Sequence, residues 1–205
     1  HMKGFLTAVC LLAYSLSFGQ LLTWGPDFIT ENTSTVEITV DATRGNQGLK
    51  DYAATGDVYI HTGVITTSST SSSDWKYVKF AWATTPLAAQ ATSLGGNKWK
   101  YNITNIRSFF GVPGGETILK IAILFRNGAG TTVQRNADAS DMYIPIYSNT
   151  IAVRFSVPPF QPTYIPVPEL INKQVGDNIN LTAIANNTAE NMKLYLNGTV
   201  IQNIN

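Results

Sequence analysis

Cysteine is nearly missing from this chain. The single one, Cys10, lies in the apolar N-terminal stretch, so the segment beyond it has no disulfide, no thiolate nucleophile and no zinc–cysteine site. Charge is scarce as well: Asp, Glu, Lys and Arg make up 13% of 205 residues, and the formal net charge is +1. Nucleic acid and anionic membrane surfaces both select a basic surplus on one face, so neither is expected as a partner. There are two histidines, and His1 belongs to an apparent cloning scar. That excludes a two-histidine metal centre and leaves His61 as the only imidazole for a Ser-His-Asp triad. No G-x-S-x-G elbow, H-E-x-x-H helix, G-x-x-x-x-G-K phosphate loop or dinucleotide fingerprint occurs.

Long apolar runs are also lacking. Residues 5–16 are too short to span a bilayer, and no membrane insertion is expected. With Lys3 before them and Ser17-Phe18-Gly19 after, they read as a secretory signal cleaved before Gln20. Val9 stands where a lipoprotein signal needs a small residue before the cysteine, so the mature chain is expected to be secreted or at the cell surface.

What is present is period-two patterning. Residues 36–40, 57–63, 75–82, 98–104, 118–125, 131–135, 142–147 and 151–157 read as strands, with turn residues between them. The near-continuous apolar run "ILKIAILF" suits a central strand covered on both faces. The fold class expected is all-β: an antiparallel β-sandwich over residues 20–157, of immunoglobulin-like or carbohydrate-binding-module-like type. Residues 158–169 form a proline-rich connector, since "VPPFQPTYIPVPE" holds five of the nine prolines. Residues 170–205 resemble the opening strands of a second, incomplete immunoglobulin-like domain, with Asn197-Gly198 as a hairpin turn. About 40 residues cannot close a sandwich of about 100, so the natural polypeptide is expected to continue.

Acidic pairs for glycosidase chemistry could be drawn from Asp57, Asp74, Glu116, Asp138 and Asp141, but each sits in a turn or at a strand end, where such residues are common. The five Asn-x-Ser/Thr sequons, at Asn32, Asn102, Asn180, Asn186 and Asn197, are what an Asn/Thr-rich chain produces by chance.

The aromatic residues are more informative. Alternation along 75–82 puts Val78 and Phe80 in the core and Trp75 and Tyr77 on the solvent face. Trp82 starts core-facing, at a strand end where it can swing to the rim. Trp99, Tyr101 and Ile103 read as core, as do Val58 and Ile60, which leaves Tyr59 and His61 on the opposite face. His61, Trp75, Tyr77 and Trp82 therefore form a candidate aromatic group beside the Ser/Thr stretch "TTSSTSSS", which reads as a flexible rim. Pyranose rings stack their C–H faces on such side chains, although the same rings could simply cover the second face of the sandwich.

The segments "VYIH", "WATTP", "KWKYNIT" and "ILFRNGAG" resemble small starch-binding modules of the family-25 and family-26 type. The longer pattern, from "DATRGNQGLKDY" through "GDVYIHTGVIT" and "SDWKYV" to "NIRSFFGVPGGETILKIAILFRN", resembles the N-terminal region of secreted α-amylase family glycoside hydrolases of the Bacteroidetes group. In that family the module precedes an immunoglobulin-like segment and a catalytic barrel. The resemblance implies a ligand contact at His61, a stacking platform at Trp82 and a place near the site for Asn127. The turn "GAGTTVQRN" departs from the starch modules, offering Arg135 among other polar residues where those carry a further tryptophan. Trp75 is the candidate replacement.

Three readings follow. One is a non-catalytic module that binds polysaccharide, an α-glucan as the resemblance implies, and is covalently linked to a downstream catalytic domain. A second is a spacer or cell-surface interaction domain, and a third is catalysis by this chain itself. No cofactor is required, and Asp41 and Asn46 in the turn "DATRGN" are weak calcium candidates.

Overall fold

The computed structural model describes residues 19–187 and 189–204. The expected signal sequence lies outside the described residues except for Gly19. In chain order the strands are β1 (Leu22–Gly25), β2 (Thr35–Asp41), β3 (Val58–Thr66), β4 (Thr92–Gly95), β5 (Lys98–Thr104), β6 (Ile118–Asn127), β7 (Val133–Gln134) and β8 (Met142–Pro145). They are followed by β9 (Val153–Val157), β10 (Thr182–Ala185), β11 (Met192–Leu196) and β12 (Thr199–Ile204).

The protein is all-β, and its N-terminal part is an antiparallel sandwich. One sheet runs β1-β2-β5-β4; in the other, β6 pairs with β3 along one edge and with β7 and β8 along the opposite edge. Period-two alternation determines what lies between the sheets. Val36, Ile38 and Val40 of β2 stand opposite Ile103, Tyr101 and Trp99 of β5, and all six are buried. The polar ends of the rings are satisfied: Trp99 Nε1 donates to the Thr55 carbonyl at 2.9 Å and Tyr101 Oη to that of Ala88 at 2.6 Å. Each such ring contributes up to about 5 kcal/mol through burial of its apolar surface.

Strand β6 is covered on both faces, as its composition predicts. Ile121, Ile123 and Phe125 enter the core between the sheets, while Ala122, Leu124 and Arg126 are buried on the outer side. Outside, Ala122, Ile65 and Tyr143 form a second apolar cluster capped by Trp75 and by Tyr164 of the proline-rich segment. That segment is held to the sandwich, since the Pro162 carbonyl accepts from Tyr143 N at 2.9 Å and from Asn136 Nδ2 at 3.1 Å.

Three expectations need correction. Residues 75–82 are not a strand. They form one isolated β-bridge with β3, Lys76 to Val64, and Tyr77 has φ 51°, which resets the side-chain phase that alternation assumes. Val78 is consequently 43% exposed instead of core, and Phe80 is only partly buried, edge-on to Phe109. The strand expected to complete the first sandwich pairs with β10 instead of with either sheet. The short strands β1 and β4 fall outside the expected set, because four residues carry too little alternation to be noticed.

The Asn197-Gly198 hairpin forms as expected, with positive φ at both positions joining β11 to β12. Trp99→Ala is expected to destabilise the sandwich by about 3–5 kcal/mol through the cavity it leaves. A denaturant titration followed by circular dichroism measures this; a loss under about 1 kcal/mol would remove Trp99 from the core.

Candidate functional site

Residues 74–85 form a strap that lies along the free edge of β3 and folds over the outer face of its sheet. Backbone bonds tie it down: Lys76 N to Val64 O at 2.8 Å, Val64 N to Lys76 O at 2.9 Å, and Lys79 N to Thr62 O at 2.9 Å. Gly63 makes the close approach possible. A Cβ there would lie 3.0 Å from the Lys76 carbonyl oxygen and 3.2 Å from Val78 Cγ2.

The Ser/Thr stretch leading into the strap is held by its own hydroxyls. Thr66 N donates to Ser69 Oγ at 3.0 Å, Thr70 N donates to Asp74 Oδ2 at 2.9 Å, and Tyr143 Oη donates to the Ser72 carbonyl at 2.7 Å. The rim expected to be flexible is therefore bonded throughout, and it delivers Trp75 to the sheet in a defined orientation.

His61 stands between two tryptophans. The Trp75 ring is stacked on it at 5.6 Å between centroids and 26° between planes, and Trp82 meets it edge-on at 5.0 Å and 85°. Trp75 Nε1 donates to Tyr143 Oη at 3.4 Å. Trp82 is 42% exposed, and its indole rests on Gly130, where a Cβ would come within 2.7 Å of Nε1.

Burial lowers the pKa of His61, and the nearby Arg126 guanidinium lowers it further; the Phe80 backbone and Asp141 act against them. The imidazole is neutral at pH 7. Its Nδ1 is buried and has no hydrogen-bond partner among the described residues. Arg135 is ion-paired with Asp141, and both charges reach His61.

Arg126 escaped the sequence reading. It is fully buried at the end of β6, where its Nη1 donates to the carbonyls of Asn127 at 2.9 Å and Gly128 at 3.0 Å, and its Nη2 to that of Thr84 at 2.5 Å. Its Cζ lies 5.5 Å from the Trp82 ring centroid and 5.8 Å from that of Tyr59. The available signal was an arginine closing an apolar run, in phase with the outward-facing Ala122 and Leu124.

Of the expected residues, His61, Trp75 and Trp82 come together, with Arg135 alongside. Tyr77 does not join them. Its αL backbone turns the ring toward the sandwich core, and its hydroxyl donates to Glu116, which also accepts from Thr66 Oγ1 and from Ser68 Oγ at 2.5 Å. Asn127 closes the β6–β7 turn from within, its Oδ1 accepting from Thr131 N at 2.9 Å and Thr132 N at 3.0 Å.

Asp41 and Asn46 are engaged in their own turns. Asp41 Oδ1 accepts from Thr43 N at 3.0 Å and its Oδ2 lies 3.6 Å from Lys98 Nζ, while Asn46 Oδ1 accepts from Gly48 N and Arg135 N. The acidic residues named for glycosidase chemistry are likewise bonded locally: Asp57 to Tyr52, Asp74 to Thr70 and Lys76, Asp138 to Ser140. The arrangement around His61 offers an exposed indole for apolar C–H groups and, alongside it, the Arg135–Asp141 ion pair for hydroxyls.

Two of the shifted groups, His61 and Glu116, belong to the strap and its surroundings and contribute to the pH dependence. The His61 pKa is lower in the folded state than its ordinary 6.5, so the unfolded chain takes up the proton first and stability falls as pH drops below 6.5. Hydrogen bonds from Ser68, Thr66 and Tyr77 hold the Glu116 carboxyl down at about 2, so its contribution is present above 4.5 and is lost between 4.5 and about 2. Denaturant midpoints measured across pH should show both limbs. His61→Gln should flatten the upper limb and Glu116→Gln the lower, and unchanged profiles would contradict these assignments.

No protein-family model matches the chain, and no curated protein matches it at a significant level.

Proposed function

We propose that the sandwich is a non-catalytic carbohydrate-binding module for starch or related α-glucans. In this reading it forms the N-terminal part of a secreted α-amylase-type glycoside hydrolase, tethering a covalently linked catalytic domain to polysaccharide. One observation carries the reading: His61 and two tryptophans converge at the strap, with Trp82 held half-exposed against a glycine turn. A sugar ring matches both the apolar face and the polar edge of such an indole. Each stacking contact contributes about 1 kcal/mol, so a lone site of this size binds weakly, near the roughly millimolar range that about 4 kcal/mol supports. Such affinity serves a tether, because linkage to a second binding or catalytic domain raises the effective concentration. No cofactor enters this reading.

A second reading, a structural spacer or cell-surface interaction domain, draws on the C-terminal hairpin. Tyr195, Leu196, Val200 and Ile201 are 56%, 59%, 45% and 52% exposed there, an apolar surface suited to contact with another domain.

Affinity electrophoresis in gels containing starch, glycogen or a β-glucan separates the two. Retardation is expected in the α-glucan gels, weakened about tenfold by Trp82→Ala, which corresponds to about 1.4 kcal/mol. Trp75→Ala and His61→Ala should weaken it too. Leu94→Ala, exposed on the other sheet, should leave it unchanged. Free migration of the wild type in every gel would favour the spacer.

A further inference from the structure

We infer that Arg126 is the positioning residue of this site: it touches no ligand and acts by holding Trp82 in a preset orientation. The inference rests on the carbohydrate-binding reading for its purpose, and on geometry alone for its content.

The strap has little secondary structure of its own. Between its bridge at Lys76 and its end at Thr84, the backbone bond from Lys79 to Thr62 anchors it to the sheet, and Ala83, next to Trp82, has φ 57°. A tryptophan carried on such a segment would sample many orientations without a further restraint. Arg126 supplies one. A single planar guanidinium takes the carbonyl of Thr84 from the strap and those of Asn127 and Gly128 from the β6–β7 turn. It thereby locks the segment carrying Trp82 to the turn carrying Gly130, on which the indole sits.

The same group lies 5.5 Å from the Trp82 ring centroid, so the ring is held between a cation, a flat glycine and the His61 imidazole. Lysine cannot reproduce this, because an ammonium has no fixed fork to reach three carbonyls at once. Burial of the cation is tolerated because carbonyl dipoles and two aromatic faces surround it and the Asp57 carboxylate lies near enough to favour the charged form. Without a positional role, a fully buried arginine in an apolar strand has no advantage over an aliphatic side chain of similar volume.

The test uses the whole chain labelled with fluorotryptophan. It has four tryptophans, and Trp82→Phe assigns the Trp82 fluorine resonance. In Arg126→Lys the Trp82 resonance should move toward the free-indole position, while that of Trp99, in the core, stays in place. Affinity for soluble α-glucan should fall at least tenfold with the circular dichroism spectrum unchanged. Gly130→Ala displaces the same indole while Arg126 is intact, and should produce the same two changes.

Cross-relaxation between the Arg126 guanidinium protons and the Trp82 ring protons in the wild type checks the contact without any substitution at Arg126, should Arg126→Lys fail to fold. An unmoved Trp82 resonance in Arg126→Lys, absence of that cross-relaxation, or a displaced Trp82 with full glucan affinity would each overturn the inference. A wild type that binds no glucan while its Trp82 resonance moves in Arg126→Lys supports the positioning and instead removes the carbohydrate reading.

Discussion

Because β6 is buried on both sides, the sheet that contains it needs cover over its outer face as well as its inner one. Ile121, Ile123 and Phe125 are covered by the opposing sheet. The outer row, Ala122, Leu124 and Arg126, is covered by irregular segments: the strap after the Ser/Thr stretch, and Tyr164 from the proline-rich connector. The strap does a second job at the same time. By bonding to Val64 and Thr62 it occupies backbone groups on the free edge of β3 that would otherwise be open to pairing with another chain. The aromatic site is where these two requirements meet, since the strap that seals the edge and covers the face carries Trp75 and Trp82 onto the outward-pointing His61.

Electrostatics then follow from burial. A guanidinium under the strap forces its hydrogen bonds onto carbonyls, and its charge together with desolvation keeps His61 neutral. The neutral imidazole keeps one buried nitrogen, Nδ1, without a partner among the described residues, which costs less than burying a cation there. At the other end of the strap Glu116 is a fixed anion with three hydroxyl donors, so the Ser/Thr stretch and Tyr77 are anchored by a charge far outside its titration range at neutral pH. The strap is pinned by a cation at one end and an anion at the other, and the aromatic residues lie between.

This explains which parts were legible in the sequence. Strands β2, β5 and β6 are legible because each alternates or is apolar nearly throughout, and in β5 the expected core residues Trp99, Tyr101 and Ile103 are buried. His61 was legible for the same reason, since β3 keeps strict phase from Val58 to His61. The strap defeated that logic. One αL residue at Tyr77 breaks the alternation, so that Val78 is exposed while Phe80 still packs against the core, and no composition signal distinguishes a strand from an extended segment bridged at one point. Trp75 and Trp82 were named as candidates on opposing faces, yet both reach His61, because a segment that bends around an edge is not bound to two faces. Asn127 was placed near the site by resemblance, and it is near; its amide is occupied by the turn. Arg126 went unnoticed because a charged residue at a strand end ordinarily points to water.

An apolar face can be covered in ways that leave little of a tryptophan in water. Here the glycines decide otherwise. Gly63 lets the strap settle close enough for Trp75 to stack on His61, and Gly130 lowers the turn so that Trp82 lies across it with nearly half its surface still in water. Adding a methyl at either position would lift the strap or the indole, so both glycines act on the geometry of the exposed rings more than on the sandwich core. A Cβ at Gly63 would press on the Lys76 carbonyl, and one at Gly130 would displace the indole and strain a positive φ. The two glycines and the buried Arg126 thus keep Trp82 half-exposed across the turn.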